Sequence, residues 1–115
     1  MTEKCLFCRI INKELPAVVV SESPSWVSFR DIHPQAPQHI VLIPKRHIAN
    51  LSETQPQDAP LLGELLAEAA RIARDQKMRD GGWRLVANSN PDGGQTVPHL
   101  HFHILGGRRM TWPPG

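Results

Sequence analysis

At 115 residues, 40% of them hydrophobic, the chain has the size of one domain and enough apolar side chains for one core, which excludes intrinsic disorder as its main state. Thirteen Lys and Arg against eleven Asp and Glu leave a net charge of +2, and only Lys45-Arg46 and Arg108-Arg109 are adjacent basic pairs, too few for a nucleic-acid footprint. No apolar run reaches signal-peptide or membrane-span length, so the chain is expected to be soluble and cytoplasmic, with neither nucleic acid nor membrane as partner. Its 2 cysteines, Cys5 and Cys8, are too close for a disulfide between them to stabilise much. With no tyrosine and 6 histidines, the imidazoles are the first candidates for acid, base or nucleophile.

In chain order, Cys5 to Asn12 reads as one or two helical turns, stopped before Pro16. Ala17 to Ser21 is β-branched, Ser23-Pro24-Ser25 is a turn, and Trp26 to Arg30 alternates apolar with polar residues, predicting a hairpin. Asp31 to Gln38, with Pro34 and Pro37, is a loop, and His39 to Ile43 is a β-branched strand closed by Pro44. After a polar, proline-rich stretch, Leu61, Leu62, Leu65, Leu66, Ala69, Ile72 and Ala73 fall at helical spacing, predicting an amphipathic helix with Asp58 as N-cap and an end near Met78. Gly81-Gly82 terminates it, Trp83 to Asn88 alternates as a strand, Pro91-Asp92-Gly93-Gly94 is a turn, and a last strand runs His99 to Leu105. The expected fold is α+β, a mostly antiparallel sheet of about five strands with one long helix and a short N-terminal helix.

His99, His101 and His103 alternate with Leu100, Phe102 and Ile104, so a strand would present all three imidazoles on one face and the apolar residues on the other. Strand rise puts neighbouring rings roughly 7 Å apart and the outer pair roughly 13 Å, so one metal ion cannot take all three. Such a row either fills the polar face of an edge strand or performs nucleophilic and acid-base chemistry, one imidazole attacking while the others fix its tautomer and neutralise substrate charge. Asp92-Gly93-Gly94-Gln95-Thr96, just upstream, offers backbone N–H groups and a hydroxyl that suit an anion, although a Gly-Gly turn is often only a turn.

His99-Leu100-His101-Phe102-His103-Ile104-Leu105 resembles the histidine triad (HIT) signature. Asp31 to His39, Ile43 to Ile48, Asn88, Gly93 to Thr96, Gly106-Gly107-Arg108 and Trp112-Pro113-Pro114-Gly115 resemble its Hint branch, the histidine triad nucleotide-binding proteins. The resemblance implies one HIT domain over residues 1–115. It implies a purine nucleoside phosphoramidase that cleaves a P–N bond through a nucleotidyl-histidine on His101. The carbonyl of His99 would orient the His101 ring, His103 would bind the phosphate, and His39 would complete a four-histidine cluster. Asp31 would bind the ribose hydroxyls, with Ile32, Phe7, Ile10 and Phe29 around the base. Asn88, Gly94, Gln95 and Thr96 would meet the phosphate or leaving group. Read singly, Phe7, Ile10 and Phe29 suit a core equally well, and Asp31 a loop cap. The family forms homodimers, in which Trp112 would reach the partner's site. The chain departs from the family pattern at Thr96, where Ser is common, and at Pro98, which replaces an aromatic residue.

Cys5-Leu6-Phe7-Cys8 is half of a tetrahedral zinc site or two small buried thiols. Some bacterial HIT proteins complete such a site with histidines that match His47 and His99 here, and the resemblance then implies a structural zinc that catalysis does not require. Competing functions are a nucleotide-binding regulatory module that acts through protein partners, a dinucleoside polyphosphate hydrolase, and a protein that uses these histidines and cysteines simply to bind metal.

Overall fold

The computed structural model describes residues 5–115. Helix α1 (Leu6–Ile11) is capped by Cys5, whose Sγ accepts from the Cys8 N–H, and is followed by strands β1 (Val19–Glu22), β2 (Trp26–Arg30) and β3 (Gln38–Pro44). Helix α2 (Ala59–Asp75), β4 (Trp83–Val86) and β5 (Phe102–Gly106) complete the described helices and strands, with short 3-10 turns at Leu51–Glu53, Pro56–Asp58 and Pro91–Gly93. The strands form one antiparallel sheet in the order β1-β2-β3-β5-β4. This is the expected α+β architecture.

Period-two alternation divides the sheet into two faces. Ile40, Leu42, Phe102 and Ile104 point to α2 and meet its Leu65, Ala69, Ile72 and Ala73. Val27, Phe29, Val41 and Ile43 point the other way and meet Cys5, Phe7 and Cys8 of the α1 segment. His39 belongs to the α1 face by alternation with Ile40, and His103 by alternation with Phe102 and Ile104. The registers Val41↔His103 and His39↔Leu105 make the two histidines diagonal neighbours on adjacent strands. The long helix therefore covers one face, and the other carries the imidazoles.

Several boundaries differ from the sequence expectation. Helix α2 stops at Asp75 rather than near Met78, because Lys77 turns left-handed (φ 63°) and Met78 N–H reaches back to the Ala73 carbonyl at 2.8 Å. Asp58 stands at the N-cap position, but its carboxylate accepts from Gln55 N–H and pairs with Arg46, so it closes the preceding 3-10 turn instead of capping α2. Strand β4 ends at Val86 instead of Asn88. The first strand begins at Val19 rather than Ala17, with a register irregularity between Val19 and Ser21. The last strand begins at Phe102, three residues later than expected, since Leu100 N–H bonds the Ile48 carbonyl at 2.6 Å rather than joining the ladder with β3.

Gly107, just after β5, holds a φ of +91°, and a Cβ placed there would lie 2.9 Å from Cβ of Pro37. Both features penalise a side chain. Gly107→Ala is expected to lower unfolding free energy by roughly 2 kcal/mol in urea titration, from the left-handed backbone together with the contact; an unchanged midpoint would remove both as constraints.

Candidate active site

Five imidazoles, one carboxylate and two thiols come together in two adjoining clusters, and hydrogen bonds assign the tautomers of His39, His99, His101 and His103. His101 Nδ1 lies 2.6 Å from the carbonyl of His99, which can only accept, so the proton is on Nδ1 and the Nε2 lone pair is free. Gln35 N–H donates to His39 Nδ1 at 3.0 Å, leaving the His39 proton on Nε2. That Nε2–H donates to His103 Nδ1 at 2.9 Å, which in turn places the His103 proton on Nε2. Asp31 Oδ2 lies 3.4 Å from His39 Nε2, and its other oxygen accepts from His33 N–H at 2.7 Å. One carboxylate thus both caps its loop and faces the cluster.

The rings are closer than a flat strand predicts: the centroids of His101 and His103 are 4.9 Å apart and those of His39 and His103 are 5.1 Å apart. His101 and His103 meet edge to face, a favoured aromatic arrangement, while His39 is tilted by 56° to His103. His99 separates from this group, its ring buried against the cysteines, so the triad serves two clusters rather than one row.

A cleft of about 420 Å³ opens beside His101 and His103. Phe7, Ile10 and Phe29 line it with apolar surface, while Asp31, Ile32 and Thr96 bring a carboxylate, an exposed aliphatic side chain and a hydroxyl. Phe7 serves both core and site: it is 7% exposed and its ring packs edge to face on His101 at 5.0 Å. Asn88, Gly94 and Gln95 are not brought to this cleft. Gln95 has a different task. Its Nε2 donates to the Ala49 and Val97 carbonyls and its Oε1 accepts from Asn90 N–H and Asn50, which fastens the loop that carries Thr96. Trp112 is 82% exposed in the C-terminal tail, which Arg84 holds through the Thr111 carbonyl.

Burial keeps the cluster neutral. It pushes His103 down to about 4, helped by neighbouring His101 and His39 and opposed by Asp31. It also lowers His101, against the His99 carbonyl and Asp31, and lowers His39, against Asp31. An unfolded histidine titrates near 6.5, so between there and 4 the unfolded chain binds a proton that native His103 refuses. Stability from this ring is therefore complete above pH 6.5 and is lost as pH falls toward 4. After allowance for the ring's partial exposure, urea unfolding should show a loss of about 2 kcal/mol across that window, reduced in His103→Asn. Equal pH slopes in the two proteins would contradict a half-buried, neutral His103.

The second cluster joins Cys5, Cys8, His47 and His99, whose ligand atoms all lie within 4.8 Å of one another. His99 Nε2–H donates to the Pro44 carbonyl at 2.9 Å, so its Nδ1 lone pair faces Cys5 Sγ at 3.4 Å, Cys8 Sγ at 3.6 Å and His47 Nδ1 at 3.1 Å. Tetrahedral zinc at usual bond lengths separates two nitrogens by about 3.3 Å and a nitrogen from a sulfur by about 3.6 Å, so donor set and spacing both fit that ion. Burial pushes the Cys8 thiol up to about 11, with Cys5 adding to it, so the thiolate needs a cation beside it. His99 itself falls to about 4, chiefly through burial.

Main-chain groups at Gln35 and Pro44 set two of these tautomers, and no side-chain pattern in the sequence marks them. The tail signal Gly106-Gly107-Arg108 has a physical counterpart: Arg108 Nε donates to the Gln35 carbonyl at 3.0 Å and so steadies the loop whose N–H holds His39.

The HIT domain family profile matches residues 12–110. The chain is 49% identical over 115 residues to an uncharacterized HIT-like protein of Synechococcus elongatus, and 48% identical over 115 residues to one of Synechocystis sp., each covering 100% of both chains. Among solved structures it is similar to a HIT family hydrolase from Legionella pneumophila Philadelphia 1, with 49% identity, TM-score 0.96 and coverage of 97% of this chain and 100% of that one. A histidine triad nucleotide-binding protein from Candida albicans superposes with TM-score 0.82 at 30% identity, covering 96% of this chain and 83% of that one.

Proposed function

Because the chain belongs to the HIT domain family, whose hydrolases share its fold, we propose that it hydrolyses purine nucleoside phosphoramidates through a nucleotidyl-histidine intermediate. The observation that carries this is His101, held by its own chain in the Nδ1–H tautomer with a free Nε2 beside the cleft. The Nε2 lone pair attacks the α-phosphorus, a P–N bond forms to the ring, and the bond to the substrate amine breaks, the amine leaving with that electron pair and taking a proton from solvent. Water then adds its oxygen to phosphorus and releases a proton to solvent, the ring–phosphorus bond returns its electrons to Nε2, and nucleoside monophosphate departs. A phosphorylated imidazole carries positive charge, which the 2.6 Å bond from Nδ1–H to the His99 carbonyl stabilises in both half-reactions.

The remaining residues position and neutralise. His103, with its proton on Nε2, supplies a donor for a phosphate oxygen, and the chain from Gln35 N–H through His39 keeps that proton in place. Asp31 is the acceptor for ribose hydroxyls, Phe7, Ile10, Phe29 and Ile32 suit the faces of a purine such as that of AMP or GMP, and Thr96 suits the leaving amine. Zinc at Cys5, Cys8, His47 and His99 would supply cross-linking of α1 to the sheet. We place the protein in the cytoplasm as a homodimer in which Trp112 reaches the partner's cleft; no helix among the described residues is long and apolar enough to cross a membrane.

Steady-state assay separates this function from its competitors. Release of AMP from adenosine 5′-phosphoramidate, faster than hydrolysis of a diadenosine polyphosphate, is the expected result. The reverse preference would point to a dinucleoside polyphosphate hydrolase, and tight AMP binding with no turnover of either would point to a regulatory module.

A further inference from the structure

His99 links the two clusters, and every polar atom it has is committed. Its ring Nδ1 faces two thiols and His47, its Nε2–H holds the Pro44 carbonyl, its main-chain N–H bonds Val97 O at 2.8 Å, and its carbonyl receives His101 Nδ1–H. It is 0% exposed, so displacement of one bond disturbs the others. A second connection runs through α1. Phe7 lies between the two cysteines in sequence and packs edge to face on both His99, at 5.9 Å, and His101, at 5.0 Å. A helix of 6 residues has little stability of its own, so contacts from its cysteines decide where Phe7 sits.

We propose that His99 is a positioning residue through which zinc occupancy of the Cys5, Cys8, His47 and His99 site sets the nucleophile and the cleft wall. With a cation at Nδ1, the ring and carbonyl of His99 hold His101 as the Nδ1–H tautomer, and the cysteines hold Phe7 against the same ring. Zinc is then needed for full activity, contrary to the sequence expectation that catalysis does without it. The role of His101 as nucleophile rests on the proposed hydrolase function; the coupling of metal to ring orientation does not.

The full chain is stripped with a chelator and titrated with zinc alone, while the ¹⁵N shifts of the His101 ring, AMP affinity and turnover are followed. Removal of zinc is expected to shift His101 from a single Nδ1–H pattern toward a mixture of tautomers. AMP affinity and kcat should fall about 10–100-fold, the range seen when a supporting shell is lost, and one zinc per chain should restore both. Unchanged His101 shifts and AMP affinity, or no zinc bound at one per chain, would overturn the proposal. If the stripped chain unfolds, His47→Gln removes one ligand while leaving α1 and His99 in place; His101 shifts identical to those of zinc-loaded wild type would again overturn it. Zinc-dependent shifts and affinity without any turnover would keep the coupling and remove the hydrolase assignment.

Discussion

His101→Ala is expected to lower kcat for adenosine 5′-phosphoramidate by at least about 10⁴-fold while AMP still binds, since removal of a covalent nucleophile eliminates the chemical step and leaves most ground-state contacts. The pocket should survive the change. His39, His103 and Asp31 are held by one another and by Gln35 N–H, and none of their hydrogen bonds runs through His101. A small amount of cavity is created beside Phe7, so stability is expected to fall modestly. His101→Gln offers a check on shape, because its amide refills part of the space without a nucleophilic nitrogen. Steady-state kinetics alongside calorimetric AMP titration distinguishes the cases: parallel loss of binding and turnover would mean that His101 is a wall of the pocket, not its reactive atom.

Ile104→Ala is expected to cost about 3–4 kcal/mol in urea unfolding, near the upper range for deletion of a fully buried aliphatic side chain. Ile104 is 0% exposed, pairs with Ile40 on one side and Leu85 on the other, and packs in the cluster beneath α2. Its whole side chain lies in that core, so collapse of the cavity would require α2 to move against three strands. A loss of this size is a large share of the roughly 5–15 kcal/mol that holds an ordinary domain folded. Residue alternation sends His103 to the opposite face, so kcat at low temperature should stay within about twofold of wild type while the urea midpoint falls. A change below 1 kcal/mol would show that the helix face is loosely packed.

His103 and Ile104, neighbours on β5, illustrate which features the sequence makes legible. Alternation of Leu100, Phe102 and Ile104 with the histidines correctly separates core face from functional face even though regular pairing starts only at Phe102. Helical spacing from Leu61 to Ala73 likewise finds α2, because one apolar stripe must meet the sheet. Its end was less legible: Lys77 adopts the left-handed cap that glycine usually fills. Asp58 has the residue type of an N-cap, but the preceding 3-10 turn and Arg46 take its carboxylate. Local propensity has no information on such distant partners.

In the site, residue types were legible and their allocation was not. Spacing alone puts three imidazoles in a row at strand intervals, whereas the structure gives His99 to the thiols and turns His101 and His103 toward each other. The grouping of Cys5, Cys8, His47 and His99 followed from family resemblance, since a lone Cys-x-x-Cys does not name its remaining ligands. The family resemblance implies a phosphate or leaving-group contact for Gln95, whereas its amide here bonds main-chain groups of its own loop and of Ala49. Tautomers depend on Gln35 N–H and the Pro44 carbonyl, backbone groups that every residue type possesses and no motif records.

The most direct test of a nucleophilic His101 is mass spectrometry of the full chain mixed briefly with adenosine 5′-phosphoramidate and quenched without acid, which preserves a phosphorus–nitrogen bond. The expected result is a transient +AMP species whose adduct fragmentation assigns to His101 itself, apart from His99 and His103 in the same peptide, and which is absent from His101→Ala. Rapid AMP release with no adduct at any mixing time, or an adduct on His39 or His103, would contradict the account.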